Sequence, residues 1–168
     1  MTALAYSYSH VASAGAIEPV IRLSQLDATG GSLTLNDWAR RAQQQAPIEI
    51  AEPALAKLDQ LRRLGPDWDS YGASQPSSLS LSMARAIVLA MVRHFVVKGV
   101  PTEVMPIADG GVQLEWRGKS GELALNAAPD GSWSYLLIER DGDERVYTER
   151  YGLQDAEAVA LVANFLGQ

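Results

Sequence analysis

The apolar residues of this chain change their spacing once, near residue 100, and that change limits the folds open to it. Between Ser78 and Lys98, Ile87, Val88, Leu89, Met91, Val92, Phe95, Val96 and Val97 crowd most of the circumference of a helix. From Thr102 the apolar residues alternate instead. Val112, Leu114 and Trp116 interleave with Gln113, Glu115 and Arg117, and Leu123, Leu125 and Ala127 with Glu122, Ala124 and Asn126. A period of two marks a half-buried strand, and one of 3.6 marks a helix. Turn signals at 118–121, at Pro129-Asp130-Gly131 and at 141–143 divide the second region. They predict an antiparallel meander of about five strands, near 103–107, 111–117, 121–127, 132–140 and 144–150. In the fourth strand Trp133, Tyr135 and Leu137 share one face while Leu136 and Ile138 share the other, so it is expected at the centre of the sheet.

A closing helix is predicted over 154–166, with Ala156, Val159, Ala160, Ala163 and Leu166 as its stripe. The fold class that follows is α+β: a five-stranded antiparallel meander over about 103–150, packed on the long helix 78–98 and the C-terminal helix 154–166. Helices on one face leave the other to be explained. The long helix is apolar nearly all round, so it either lies in the domain centre or is shared with a second copy; a homodimer is expected.

The N-terminal part reads as mainly helical over 1–64, ahead of an α+β core at 65–168 with which it forms one unit. Leu33 to Gln45 has helical spacing, with Thr34 or Asn36 as cap, and Pro47 ends it. A second helix is predicted from Pro53 to Arg63, with proline in the permitted first turn and Leu55, Leu58 and Leu61 along one side. Tyr6, Tyr8 and His10 alternate with small residues, and 28–32 is a glycine-rich turn.

Composition removes whole classes of chemistry. The 168 residues include no cysteine and two histidines, which eliminates disulfides, iron–sulfur clusters, thiolate zinc sites and cysteine nucleophiles. The net charge is −6, and residues 101–168 alone sum to −7, with twelve acidic residues against five basic. Arg40, Arg41, Arg62 and Arg63 are the only clustered bases, so nucleic acid is a poor partner. Leu33 to Ala42 resembles the opening helix of a helix-turn-helix, but Gln43, Gln44, Gln45 and Pro47 stand where the turn and second helix belong. The N-terminus lacks the charged and apolar regions of a secretory signal, and the longest apolar run, Ala86 to Val92, is far below the ~20 residues of a membrane span. A soluble, cytoplasmic protein is expected.

Carboxylates supply the remaining candidate chemistry. Asp67 and Asp69, joined by Asp109, Glu115 and Glu122, offer the hard oxygen ligands that Mg²⁺ or Ca²⁺ requires. Against this, Asp67 follows Pro66 in a turn, Asp69 can accept neighbouring amides, and Asp109 opens a hairpin before two glycines. No metal and no cofactor is expected. The paired carboxylates could serve acid–base catalysis, yet Glu115 lies where a strand ordinarily exposes a charge. His94, near the C-terminal end of the long helix, reads as a dipole-stabilised or core histidine, and no nucleophile elbow or phosphate-binding glycine pattern is present.

Gly65-Pro66-Asp67-Trp68-Asp69-Ser70-Tyr71-Gly72-Ala73, Asp109-Gly110-Gly111-Val112-Gln113-Leu114-Glu115-Trp116, Glu122-Leu123-Ala124-Leu125, Pro129-Asp130-Gly131 and Tyr135 together resemble a family of small bacterial and phage-associated proteins. In that family a GWDSYGA segment precedes a helix and a DGGIQLEW hairpin precedes a strand pair. The resemblance spans about 65–140 and implies a setting among mobile elements and defence genes, with no reaction attached. This chain departs from it at Pro66-Asp67 and in its N-terminal sixty residues.

The functional expectation is recognition of another protein: an antitoxin-like, anti-defence or accessory factor that acts by covering a surface. Trp68, Asp69, Tyr71, Asp109, Gln113, Glu115, Glu122 and Tyr135 are the binding candidates, aromatics with polar tips being favoured at recognition surfaces. An acidic sheet face carrying Glu103, Glu115, Glu122, Glu139 and Glu149 would dock on a basic target. A metal-dependent hydrolase using Asp67, Asp69 and Asp109 is one alternative, and a self-assembly module built on the long helix is another.

Overall fold

The computed structural model describes residues 48–141 and 144–168. The predicted helix at 33–45, the helix-turn-helix reading built on it, the 6–10 and 28–32 segments and the hairpin tip at 142–143 lie outside them. The elements are α1 (Ile48–Leu61), α2 (Ser78–Phe95), a 3₁₀ turn (Val96–Gly99), β1 (Glu103–Pro106), β2 (Val112–Arg117), β3 (Gly121–Ala127), β4 (Trp133–Asp141), β5 (Glu144–Leu153) and α3 (Asp155–Leu166). The chain is thus α+β, with the five-stranded antiparallel meander that the alternation predicts.

The helices depart from their predicted bounds for local reasons. α1 starts at Ile48, so Pro53 lies inside it rather than in its first turn. Pro53 cannot donate to the carbonyl four residues back, yet Ala51, Ala54, Leu55 and Leu58 keep one buried stripe running through it. The helix tightens and ends as Arg63 N–H donates to Gln60 and Leu64 N–H to Leu61. α2 is opened by Ser77, whose hydroxyl accepts the Ser80 N–H at 2.9 Å. It stops at Phe95, short of Lys98, because Val96 takes φ 51° and turns the chain back along the helix. Gly99 then lies so close that a Cβ there would meet the Met91 carbonyl oxygen at 2.3 Å.

The all-round apolarity of α2 is consumed inside the molecule. Ala84, Ile87, Val88, Ala90 and Val92 are fully buried, and only Ser82 on the 80–92 stretch is exposed. By length and composition Ser78–Gly99 could cross a membrane, but 61% of its most apolar 18-residue stretch is buried within the fold. No apolar stripe over 80–92 is left for a second copy. α1 packs on α2 and β1, and its buried residues join the same core cluster as Leu114, Trp116, Leu125 and Trp133.

α3 begins with a capping box in which the Gln154 N–H donates to the Glu157 carboxylate at 2.8 Å. That amide, with Arg150 at 2.7 Å, holds the Glu157 carboxyl below its ordinary range. The buried stripe is Ala158, Val159, Val162, Phe165 and Leu166, rotated from the predicted one, so that Ala156 is exposed. In the sheet β3 is the middle strand, and β4, expected there, lies between β3 and β5. Trp133 pairs with Leu153 and Ser134 with Tyr151, which leaves Gly152, at φ 71°, as a bulge. The extra residue turns Leu153 into the core and keeps Tyr151 outside.

His94 adds a pH dependence. Partial burial, with Arg93 beside it, lowers its pKa from the ordinary value, which speaks against the dipole-stabilised one of the two alternatives expected for it. The unfolded chain therefore binds this proton more readily than the folded one. Stability is full above the unfolded pKa and falls as pH drops below about 6.5. His94→Gln is expected to flatten the decline in Tm between pH 7 and 5.5; an unchanged decline would assign it to other groups.

Candidate functional site

The helices cover one face of the sheet, and strand register defines what the other displays. Directly paired residues share a face, so one uncovered row runs Glu103, Glu115, Ala124, Leu136, Glu149. Its neighbours run Arg117, Glu122, Ile138, Tyr147 and Met105, Gln113, Asn126, Ser134, Tyr151. Between these rows lies a shallow hollow of about 100 Å³, lined by Gln113, Glu115, Glu122, Ala124, Leu136 and Ile138 with the backbone of Leu123. Small Ala124 between longer neighbours forms the depression, Leu136 and Ile138 give it an apolar wall, and two carboxylates stand at its rim.

The charge on this face differs from the acidic surface expected. Glu139 pairs with Gly121 and Val146, so it points to the helix side and leaves the set. Arg117 stands 3.5 Å from Glu115 and 3.6 Å from Glu122. Lys57 donates to Glu103 at 2.8 Å and draws that exposed carboxyl below its usual range. Arg140 and Arg145 face each other across β4 and β5 on this same side. The surface is mixed, with its acidic part at the hollow. Gln113 Nε2 donates to Glu115 Oε1 at 2.7 Å, which fixes one rim carboxylate, and Asn126 Oδ1 is buried without a partner among the described residues.

Trp68, Asp69 and Tyr71 occupy a separate place, the loop before α2. Asp67 Oδ1 accepts the Gly72 N–H at 2.7 Å, and Asp69 Oδ1 accepts those of Tyr71 and Ala73 at 2.8 and 3.1 Å. These bonds hold Asp67 and Ser70 at φ 60° and 64°. Trp68 Nε1 donates to the Ser74 carbonyl at 3.0 Å, closing the loop on itself. The loop then docks on the β1–β2 turn: Ser74 N–H donates to Ala108, and Ser77 N–H and Ser80 Oγ donate to Gly110. Within that turn Asp109 Oδ1 accepts the Gly111 N–H at 2.7 Å. The three aspartates proposed as metal ligands therefore each cap backbone amides, and among the described residues no three His, Asp or Glu side chains form a metal-holding group.

Of the predicted binding residues, the fold brings Gln113, Glu115 and Glu122 together, and sets Trp68, Asp69 and Asp109 to work as loop supports. Tyr71 is 93% exposed on that loop. Tyr135 pairs with Leu125 and Arg150 on the helix side and packs against the core, away from the hollow. The residues that sequence reasoning missed are Ala124, Leu136 and Ile138; the signal was two aliphatic side chains on the strand face opposite Trp133. Comparison with protein-family models, with curated proteins and with solved structures finds no match.

Proposed function

We propose that this chain is a protein-binding module that acts by occlusion through its uncovered sheet face. The observation that supports the reading is the hollow of Ala124, Leu136 and Ile138 with Glu115 and Glu122 at its rim. An apolar wall beneath carboxylates suits a long cationic side chain of a partner. The methylene stem would lie on Leu136 and Ile138, and the charged head would reach the rim. Such a surface keeps the basic target expected from the sequence but narrows the contact from a whole acidic face to one pocket.

Truncation at an interface centre costs most where an apolar side chain is buried by the partner. Capture from the native host with the wild-type chain, repeated with Ile138→Asp and with Glu115→Gln/Glu122→Gln, tests this. Ile138→Asp is expected to weaken retention of the captured protein by about 100-fold, and the double carboxamide by about 10-fold with a shallower salt dependence. A partner that both folded variants retain as well as wild type overturns the reading.

A further inference from the structure

The outer edge of β5 is long and open. Among the described residues β5 is the last strand of the sheet, and nothing pairs with its far side. It is ten residues long, and Glu144 to Gly152 are all exposed. The opposite edge is managed differently: β1 has four residues, ends in Pro106, and is tied to α1 by Lys57 on Glu103. Sheet edges left long and open are templates for another strand.

The register fixes which β5 groups face outward. Arg140 N–H donates to the Ser120 carbonyl, so the polar backbone of Arg140 faces β3. Its β5 partner, Arg145, must then direct its N–H and C=O away from β4, and by alternation so do Tyr147 and Glu149. An incoming antiparallel strand has to meet these three residues with three of matching phase. A second β5 does so about a two-fold axis at Tyr147. That register sets Tyr147 against Tyr147, Arg145 against Glu149, Val146 against Thr148 and Glu144 against Arg150. Every charge from 144 to 150 meets its opposite. Sliding the copy by two residues sets Arg145 against Tyr151 and Val146 against Arg150, and the match is lost. The charges that would repel other strands from this edge are complementary to the edge itself.

We propose that two copies of this chain pair through β5 in that register, joining their sheets into one ten-stranded sheet whose uncovered faces are continuous. The surface differs from the hollow at Ile138, so failure of either proposal leaves the other standing.

The lack of native cysteine makes the register directly readable. Tyr147→Cys places two thiols at a directly opposed pair, with Cα atoms about 5.5 Å apart and within disulfide reach. Thr148→Cys places them on a diagonal about 7–8 Å apart, beyond it. Under mild oxidation at about 50 μM full-length chain, Tyr147→Cys is expected to form covalent dimer at least ~10-fold faster than Thr148→Cys. In sedimentation, Arg145→Glu, which puts like charges opposite twice, is expected to weaken the dimer by roughly 10-fold, and Arg145→Glu/Glu149→Arg to restore it. A strict monomer at about 100 μM overturns the proposal, as does equal or faster cross-linking at residue 148 or a double variant no tighter than the single one. Amide protection at Arg145, Tyr147 and Glu149 that does not change with concentration would give the edge to a segment of the same chain, and overturns it too.

Discussion

Trp116→Ala is expected to lower the unfolding free energy by about 3–5 kcal/mol, and Trp116→Phe by about 1–3. Trp116 is 1% exposed, on the helix-covered face of β2. Its indole N–H donates to the Gly99 carbonyl at 3.1 Å in a buried setting. Truncation therefore does two things: it opens a cavity beneath α2, and it strands a buried carbonyl that water cannot reach. Phenylalanine keeps most of the volume and isolates the second effect. Domains of this size are stable by about 5–15 kcal/mol, so the alanine variant approaches the limit of remaining folded. Urea unfolding measures both variants. A loss below about 1 kcal/mol for Trp116→Ala would mean that the core closes over the gap.

That bond also explains the irregular exit from α2. Val96 adopts φ 51°, which a β-branched residue avoids, and Gly99 is pressed onto Met91 with no room for a Cβ. The turn back is what brings the Gly99 carbonyl to Trp116, so the strain and the buried bond belong to one junction between helix and sheet. Trp133 fastens a second junction. Its indole donates to Asp155 Oδ1 at 2.9 Å, tying the first residue of α3 to β4. The two tryptophans thus pin the 3₁₀ turn after α2 and the start of α3 to the sheet, and they leave the opposite face free.

Legibility in the sequence followed the range of the interaction involved. Strand bounds came through within a residue or two, apart from the C-terminal end of β5, because alternation and turn residues act between near neighbours. The alternation also separated Tyr135 from Leu136, but which of them faces out depends on where α2 and α3 dock, and no local pattern records that. Glu139 was placed with the wrong carboxylates for the same reason. The end of α2 was missed because Val96 and Val97 continue the helical apolar pattern; only Gly99 against Met91 reveals the turn. The Asp67–Ala73 and Asp109–Gly111 segments stood out as motifs, and the structure gives them one shared task, the docking of the loop before α2 on the β1–β2 turn. Positive φ angles and capped backbone amides account for their distinctiveness. The extension of β5 past residue 150 needed the bulge at Gly152, a one-residue phase change that reads as an ordinary turn glycine.

Gly121→Ala is expected to cost about 2–4 kcal/mol and, unlike the tryptophan variants, to damage the hollow directly. A Cβ at Gly121 would lie 1.9 Å from the Ile138 carbonyl oxygen and 3.1 Å from the Glu139 Cα. Both obstacles are backbone, so no rotamer change relieves the contact and β3 must move from β4. The next pair along is Glu122 with Ile138, which forms the rim and wall of the hollow. Opening the strands there separates the carboxylate from the apolar wall that the proposed cationic side chain would span. At a temperature where the variant remains folded, retention of the partner is expected to fall by at least about 10-fold, with Gly65→Ala as the matched control. Gly65 has nothing within 4 Å of its Cβ position, so alanine there is expected to be neutral or stabilising by up to about 1 kcal/mol. If Gly121→Ala unfolds as wild type does, the close approach of β3 to β4 is absent. If it is destabilised and still binds as wild type does, the partner does not use the hollow.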